Sequence, residues 1–426
     1  MTLTLREYAR LTTAEVKETN LSLVSISSDD FDELCELNEK RAEGQPPLIR
    51  LESRTTLSLR NYVGVLELKS GNRLEILPKS CEDSDSDFPQ RERALLFRML
   101  CSALNISPRE GTEAHIQSFR APLSEWVIRH FLLELHRLLK QGLRFDYQLC
   151  AEERPFLRGR LDVRRQMIQP PQRMHLFHVR HNIFSPDRPE HRLLRRALDR
   201  CLASSQDEEN LKLAAPLRSI LNQIPPSFHT AQDFRQWHAG RHMAHYQPVK
   251  PWCELVLGEE MPFALAGDWC GISMLFPMEK LFEKYVASCL RKLLPHDAEL
   301  SEQHCGRKLC ILDGNGFFSL RPDLLIDRGS ERYILDTKWK ILSGSSAEHY
   351  GIRQSDFYQL FAYGHCYADG KGDLALVYPM HTRFPRIDSP FLFPGGLRLW
   401  IIGWDLQVDS PFCPQDSPFA GLLRQA

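Results

Sequence analysis

Short apolar runs separated by polar turns dominate the last third of the chain. Apolar residues that recur at i, i+3 and i+4 predict helices over residues 277–295 and 354–367. Between and after these helices, runs rich in β-branched and aromatic residues predict strands. The order of elements predicts an α/β fold of the α+β kind, with a mixed central sheet flanked by helices. The predicted strands lie near residues 299–304, 308–313, 319–327, 332–338, 374–378 and 397–403.

The first 270 residues begin with short strands and continue with helices. Tyr62–Leu68 and Arg73–Lys79 flank the turn residues Ser70–Asn72, which predicts a β-hairpin. Residues 147–163 have the pattern strand, turn, strand, and residues 165–190 are rich in Pro, His and Arg, which predicts a loop. The acidic segment 81–91 also predicts a loop, and helical periodicity predicts helices over residues 92–105, 122–141, 190–204, 209–222 and 231–246.

This change of pattern predicts two regions. We expect a mixed α/β adaptor region over residues 1–270, β-rich in 1–80 and mixed or helical in 92–250. A second domain is expected over residues 271–426, where the strand-rich pattern lies. The sequence pattern assigns no role to residues 190–250 or to the tail after 380.

Composition narrows the class of protein. The chain has 426 residues, 42% hydrophobic and 26% charged, with a formal net charge of -1. These values are ordinary for a globular protein and exclude a molecule that binds nucleic acid by overall charge, while local basic segments are still able to bind phosphate. We expect no membrane span, since no run of about 18 apolar residues occurs, and no signal peptide, since the N-terminal MTLTLREYAR lacks an apolar core. The 12 cysteines form no CxxC pair, which favours reduced thiols in a cytoplasmic protein.

The most informative stretch is Leu320–Lys340, which reads LRPDLLIDRGSERYILDTKWK. Its two apolar runs flank a turn-like DRGS segment, so Asp323 and Asp336 are expected on neighbouring strands of a hairpin. Asp336 and Lys338 are two residues apart and therefore point to one face of a strand. Two carboxylates and a lysine on one sheet face predict a site for Mg²⁺ and an activated water.

Neighbouring residues extend this predicted site. The carbonyl of Thr337 is a further candidate ligand, and Glu283 on the 277–295 helix is the preferred upstream acid for catalysis and metal binding. Glu279, four residues earlier, lies on the same side of that helix and stays an alternative. Gln359 is expected to orient the lysine, the water or a phosphate. The predicted metal ligands are Asp323, Asp336, Thr337 and Glu283, and the predicted catalytic residues are Asp323, Asp336, Lys338, Glu283 and Gln359.

Each candidate also has a structural explanation. Asp is common in turns and edge strands, a Glu on an amphipathic helix usually faces solvent, and Gln359 fits a local hydrogen-bond network. Two histidine sets have suggestive spacing but lack well-spaced Cys or acidic partners, so we do not assign zinc to them. A basic cluster fits a solvated hairpin tip or a contact with DNA or a protein partner. The histidine sets are His175, His178, His181 and His238, His242, His245, and the basic cluster is Arg158, Arg160, Arg164 and Arg165.

An ordered set of motifs resembles the McrC family, within the PD-(D/E)xK nuclease superfamily. The motifs are LEILPK at 74–79, LRGRLDV at 157–163, LFEKYV at 281–286, RPDLLI at 321–326, ILDTKWK at 334–340 and DFYQLFAYG at 356–364. The pair PD and DxK alone has low specificity, whereas the six motifs in order cover most of the chain.

The resemblance implies the nuclease subunit of a McrBC 5-methylcytosine-specific restriction system. Such a protein cleaves double-stranded methylated DNA with Mg²⁺ when complexed with a McrB-like AAA+ GTPase, whose GTP hydrolysis it stimulates. The absence of a GxxxxGKS/T motif in this chain fits that division of labour. The resemblance also implies that residues 1–270 dock on the partner and that the basic cluster serves this contact. Cleavage of both strands requires two sites, which predicts pairing of nuclease domains.

Two other functions stay open from sequence. In the first, the chain is a non-catalytic activator of a ring NTPase in which the nuclease fold is a scaffold. Alternatively, it is a defence nuclease without methyl-specific recognition. The modified base, the recognition sequence and the cleavage position are not encoded in a pattern that we are able to interpret.

Overall fold

The computed structural model describes residues 2–16, 20–39, 46–80, 88–104, 106, 122–238, 240–257 and 273–423. Contacts group these residues into two compact units. The first combines the residues up to Leu123 with those from Met274 onward, and the second extends from Ser124 to Leu257. This grouping differs from the predicted boundary at residue 270, because the N-terminal strands pack with the C-terminal region. The functional division into adaptor and nuclease stays a prediction.

The N-terminal segment of the first unit builds two small sheets. The predicted hairpin is confirmed, since β6 pairs antiparallel with β7. The predicted helix at 92–105 begins earlier, at Phe88, so the end of the predicted 81–91 loop is helical, while residues 81–87 lie outside the described residues. The elements are β1 (Thr2–Arg6), β2 (Arg10–Thr12), β3 (Leu23–Ser25), α1 (Ser28–Glu39), β4 (Ile49–Leu51), β5 (Thr56–Leu59), β6 (Tyr62–Glu67), β7 (Arg73–Leu77) and α2 (Phe88–Ala103).

The second unit consists of helices and one three-stranded sheet. The predicted helices at 122–141, 190–204 and 209–222 are confirmed within one or two residues, whereas the predicted 231–246 helix is wrong because a break separates an α-helix from a 3-10 helix. The elements are α3 (Leu123–Gln141), β8 (Asp146–Arg154), β9 (Arg160–Leu161), α4 (Val163–Met167), β10 (Phe177–Ser185), α5 (Pro189–Ser204), α6 (Glu208–Ile220), α7 (Thr230–Arg235) and α8 (Lys250–Leu257), with 3-10 helices at Pro171–Arg173 and Arg241–Tyr246.

The predicted loop at 165–190 is wrong for its second half. Strand β10 occupies the middle of the sheet and pairs antiparallel with both β8 and β9, so the predicted strands of 147–163 do not pair with each other. The sequence concealed this strand because its polar His and Arg residues interrupt the apolar positions. Val179 and His181 nevertheless alternate with exposed residues, as expected for a strand that is covered on one face.

The C-terminal segment of the first unit forms a mixed sheet in the order β12-β15-β16-β17-β19-β18, with β20 on β19. Strands β16, β17 and β19 are parallel, and the other pairs are antiparallel. This confirms the predicted mixed α/β fold class. The elements are β11 (Met274–Pro277), α9 (Met278–Leu293), β12 (Ala298–Glu302), β13 (Arg307–Leu312), β14 (Asn315–Leu320), β15 (Leu324–Arg328), β16 (Glu331–Thr337), α10 (Gln354–Tyr367), β17 (Gly372–Pro379), β18 (Phe391–Leu392), β19 (Leu397–Asp405), β20 (Ser410–Phe412) and α11 (Pro418–Leu422), with a 3-10 helix at Ser346–Gly351.

Two features of this segment were not predicted. The predicted strand at 319–327 is wrong as one element, because it divides into β14 and β15, and β14 forms a separate two-stranded hairpin with β13. Strand β11 pairs antiparallel with β6, which adds it to the N-terminal sheet. None of the helices in the described ranges has the length and apolar character needed to cross a membrane.

Helix α10 packs closely on the mixed sheet. Its residues Leu360, Tyr363 and Tyr367 join a buried cluster with residues of β15, β16, β17 and β19. The approach is close at Gly364, where a Cβ atom would lie 2.6 Å from a methyl group of Leu397. Burial of each large apolar side chain contributes about 1.5–3 kcal/mol. This packing fixes α10 beside the end of β16 that carries the predicted site.

Helix α9 also contacts β16, and it does so through aromatic packing beyond the strand end. The ring of Phe282 lies 5.3 Å from the ring of Trp339, measured between centroids. Phe282 is fully buried, and its neighbour Glu283 is 9% exposed. The helix therefore holds an acidic side chain beside the strand that contains Asp336.

Candidate active site

Asp323 and Asp336 lie side by side at the ends of β15 and β16. Leu324 pairs with Leu335 in the antiparallel ladder, so the next positions in register are Asp323 and Asp336. The carboxylate oxygen Oδ2 of Asp323 accepts hydrogen bonds from the backbone nitrogen of Thr337 (2.9 Å) and from its hydroxyl (3.0 Å). The backbone carbonyl of Asp323 accepts a hydrogen bond from the backbone nitrogen of Gln303 (2.9 Å), which continues the pairing of β12 with β15.

Lys338 follows the end of β16 and is held on two sides. Its Nζ lies 2.5 Å from Oδ2 of Asp336 and donates to Oε1 of Gln359 at 3.1 Å. The Nε2 of Gln359 donates to the hydroxyl of Tyr363 (2.8 Å), which in turn donates to the carbonyl of Arg321 (2.9 Å). Gln359 therefore orients the amine through its side-chain oxygen, and this oxygen is itself fixed by a chain of hydrogen bonds.

The two candidate upstream acids have different surroundings. The Nε2 of Gln303 donates to Oε1 of Glu283 (2.8 Å) and to Oδ1 of Asp323 (3.2 Å), which joins both acids. Glu279 interacts electrostatically with Glu7 instead. The structure thus brings Glu283 to the aspartates, as preferred from sequence. The role of Gln303 was missed because a lone Gln at a strand end carries no motif; its positive φ of 46° is visible only in the structure.

Burial raises the pKa values of the three acids of the site. Burial, followed by repulsion from Asp323, raises the pKa of Asp336 to about 7. The same two causes raise the pKa of Glu283 to about 7, and burial raises the pKa of Asp323. Burial alone would lower the pKa of Lys338, but Asp336 and Asp323 raise it, so the amine stays charged. Lys338 acts on both Asp323 and Asp336, whereas Lys284 and Lys280 act on Glu283. The two aspartates therefore share one ammonium group, which leaves the pair short of positive charge.

This donor set fits a divalent cation. Apart from the Lys338 ion pair, the buried carboxylate oxygens of Asp336 have no hydrogen-bond donor among the described residues. A buried carboxylate without donors is costly unless a cation neutralises it. Mg²⁺ prefers one or two carboxylates and several waters, so Asp323 and Asp336 suffice as protein carboxylate ligands. Within the described ranges, no group of three or more His, Cys, Asp or Glu residues is arranged to hold a metal.

The histidines and arginines singled out from sequence lie in the second unit. On β10, His178 lies 3.7 Å from Glu153 and His181 lies 3.3 Å from Glu152. The basic cluster surrounds β9 and α4, and all four of its guanidinium side chains are exposed. Its members are Arg158, Arg160, Arg164 and Arg165.

Two solved structures share the fold of this chain. The solved structures include a refined half-complex from the tetradecameric assembly of Thermococcus gammatolerans McrB AAA+ hexamers with bound McrC, which matches with a TM-score of 0.68 and 19% identity over 95% of each chain. The cryo-EM structure of the Thermococcus gammatolerans McrBC complex matches with a TM-score of 0.51 and 20% identity over 72% of this chain and 90% of that chain. At these identities the similarity establishes the fold.

No curated protein matches this sequence. The family described as McrBC 5-methylcytosine restriction system component matches residues 57–379. This range contains all six motifs that suggested McrC from the sequence. The chain therefore belongs to the McrBC 5-methylcytosine restriction system component family.

Proposed function

We propose that this protein is the nuclease subunit of a McrBC-type modification-dependent restriction system. In complex with a McrB-like AAA+ GTPase it hydrolyses phosphodiester bonds of methylated double-stranded DNA, with Mg²⁺ as the cofactor. The observation that carries the proposal is the pairing of Asp323 with Asp336 beside Lys338, together with the missing donors of the Asp336 carboxylate.

Each residue of the site has a role in this proposal. Asp323 and Asp336 hold the Mg²⁺, with the carbonyl of Thr337 as a further ligand and the Glu283 carboxylate acting through a bound water. When bound, Mg²⁺ supplies a Lewis acid that polarises the phosphoryl oxygen and lowers the pKa of a bound water. Lys338 orients the attacking water and stabilises negative charge that develops on the phosphate.

Two neighbouring glutamines position these groups. Gln359 holds the Lys338 amine through its side-chain oxygen. Gln303 holds Glu283 and Asp323 at a fixed separation through one amide nitrogen. Such supporting hydrogen bonds typically change metal affinity or activity 10–100-fold when they are removed, by order of magnitude.

The partner is proposed from the solved relatives, whose names include McrB AAA+ hexamers with bound McrC. In this chain the basic cluster is a suitable contact, because its four exposed arginines lie beside the exposed apolar side chains of Leu157, Val163, Met167 and Ile168. Exposed apolar groups with adjacent cations are typical of protein interfaces. Docking at this surface is proposed to stimulate GTP hydrolysis, and two nuclease domains pair to cut both strands. We place this activity in the cytoplasm.

The proposal is tested by purification of the chain with the AAA+ protein encoded beside it. Methylated DNA, GTP and Mg²⁺ are supplied, and cleavage is followed on gels. The wild type is expected to cut, and Asp336→Asn is expected not to cut. Asp327→Asn is the matched control, because Asp327 lies at the other end of β15 in an ion pair with Arg332. Equal cleavage by the wild type and Asp336→Asn contradicts the site assignment.

The same assay separates the alternative functions. Stimulated GTP hydrolysis by a wild-type complex that never cuts DNA identifies a non-catalytic adaptor. Equal cleavage of methylated and unmethylated DNA identifies a nuclease without methyl-specific recognition. Replacement of all four arginines of the basic cluster by Ala is expected to weaken partner binding, whereas Arg173→Ala, an exposed arginine near Glu153 in the same unit, serves as the control.

A further inference from the structure

The hairpin formed by β13 and β14 is exposed on both of its faces. Five large apolar side chains on it have exposed fractions between 43% and 75%. An isolated two-stranded hairpin is only marginally stable in water, and exposed apolar clusters usually mark a binding surface. These side chains are Leu309, Ile311, Leu312, Phe317 and Phe318.

The base of this hairpin is attached to the candidate active site. Gln303, which precedes β13, donates to the carboxylates of Glu283 and Asp323. The hydroxyl of Tyr367 on α10 donates to the carbonyl of Leu320 (2.9 Å) and lies 3.1 Å from the carbonyl of His304. The hairpin therefore extends from the same few residues that position the acids. A molecule that places a phosphate at Asp323 also passes the base of the hairpin.

The charges of the hairpin favour a polyanion. Arg307 and Lys308 lie at the start of β13, and Arg321 follows β14, whereas Asp313 at the turn is the acidic residue of the segment 304–321. The apolar side chains lie beyond these cations. One of them, Phe318, has a φ of 57°, a conformation that is strained for a bulky residue and is often found at functional positions.

We propose that the β13–β14 hairpin enters the major groove of the substrate duplex next to the phosphate that is cut. The inference rests on the proposed nuclease function and adds to it a surface that contacts base edges. Strands of six residues have a length of about 20 Å, and the major groove admits a two-stranded β-ribbon. The cations contact phosphates and the apolar side chains contact the base edges, including pyrimidine methyl groups.

The experiment uses the full chain with its AAA+ partner, a methylated duplex, GTP and Ca²⁺ in place of Mg²⁺. The test variant carries Ile311→Ser with Phe318→Ser, and Ile311→Ser alone is a milder second variant. The control carries Leu392→Ser with Val408→Ser, two exposed apolar residues elsewhere in the same unit. We measure DNA affinity, protection of guanine N7 atoms from dimethyl sulfate, and thermal unfolding.

The double variant is expected to bind the duplex about tenfold more weakly and to lose N7 protection beside the cut site, with unchanged thermal unfolding. The control is expected to behave as the wild type. Wild-type affinity and protection in both hairpin variants overturns the proposal. If the hairpin variants keep wild-type DNA affinity but their nuclease domains no longer pair, the hairpin contacts a second copy of this chain. That result also overturns the proposal.

Failure of the proposed function gives a different result. A wild-type complex that neither binds nor cuts the duplex under Mg²⁺ contradicts the nuclease function itself. A wild type that cuts DNA, together with hairpin variants that bind and protect DNA equally well, contradicts the hairpin proposal alone.

Discussion

The pKa values of acidic side chains shift in opposite directions at the candidate site and in the second unit. Beside β15 and β16, burial raises the pKa values of Asp323, Asp336 and Glu283. In the second unit, desolvation also acts on Asp162 and Glu190, yet hydrogen bonds from the Arg165 backbone and from arginine side chains lower their pKa values. The two regions differ in the number of cations and hydrogen-bond donors that surround each carboxylate.

Asp162 shows what a satisfied carboxylate needs. One of its oxygens accepts two hydrogen bonds from the guanidinium of Arg180, at 2.9 and 2.5 Å. The other accepts from the backbone nitrogen of Arg165 at 3.3 Å, which caps helix α4. Asp336 has one lysine and no further donor among the described residues. Groups that are unfavourable in the folded protein alone are typical of functional sites, where a ligand completes them.

The largest expected effect is on the rate of DNA cleavage, and it distinguishes the role of Lys338 from that of the acids. Lys338→Ala is expected to lower the rate of DNA cleavage by about 10³-fold, because it removes the group that stabilises charge on the phosphate. Mg²⁺ binding is expected to persist, since both aspartates stay. Lys371→Ala, an exposed lysine just before β17, is the control and should cut normally. Cleavage rates and Mg²⁺ titrations decide the outcome; normal cleavage by Lys338→Ala refutes its catalytic role.

A smaller effect is expected from the upstream acid. Glu283→Gln is expected to lower cleavage about 10–100-fold and to raise the Mg²⁺ concentration required, because Glu283 supports the ligand Asp323. Glu279→Gln changes the same residue type one helical turn earlier, where the side chain is exposed, and should have little effect on cleavage. Mg²⁺-dependent rates of the two variants test this directly. A stronger defect in Glu279→Gln would reverse the assignment.

In the absence of metal, replacing Asp336 and replacing Asp162 are expected to shift the melting temperature of the protein in opposite directions. At pH 8 in EDTA, Asp336→Asn should raise the melting temperature, because burial makes the Asp336 charge costly even beside Lys338. Its removal is expected to gain about 1 kcal/mol or more. Asp162→Asn should lower it, because the folded state loses a paired carboxylate. Differential scanning calorimetry measures both. Destabilisation by Asp336→Asn would show that its carboxylate is already compensated.

The smallest effect concerns a buried acid outside the site. Oε2 of Glu7 accepts from the backbone nitrogen of Lys79 (2.9 Å) and from Nε1 of Trp339 (2.8 Å), and burial raises the pKa of Glu7 to about 8. Because the pKa of Glu7 is higher in the folded state, its contribution to the free energy of unfolding is fully present below about pH 4.5. This contribution is lost as the pH rises through about 8. Glu7→Gln should therefore flatten the loss of stability between pH 6 and 8, which is at most about 1.4 kcal/mol per pH unit. Equal slopes in urea unfolding contradict this.

Much of the mixed sheet and its candidate site was predictable because the signals are local. Asp323, Asp336 and Lys338 lie within one 21-residue stretch from Leu320 to Lys340. The antiparallel pairing of its two strands brings Asp323 next to Asp336, and the alternation of side chains along a strand places Asp336 and Lys338 on one face. Helix α9 was equally clear, because its apolar face has helical period. The preference for Glu283 over Glu279 depended only on its position next to Phe282.

Other features were not predictable because they depend on partners distant in sequence. Strand β10 is rich in His and Arg, and its position in the middle of a sheet is set by contacts with β8 and β9. Gln303 joins two acids that lie 20 residues away on either side. The packing of the N-terminal strands with the C-terminal region follows from the β6–β11 pairing, for which no motif exists.

The most direct test of the central claim is calorimetric titration of Mg²⁺ into the full chain, with wild type and Asp336→Asn compared at the same pH. If Asp323 and Asp336 form a carboxylate pair that lacks positive charge, the wild type binds Mg²⁺ saturably and Asp336→Asn does not. Asp327→Asn, at the far end of β15, should bind as the wild type does. Equal Mg²⁺ binding by the wild type and Asp336→Asn would contradict the claim that these acids form the metal site.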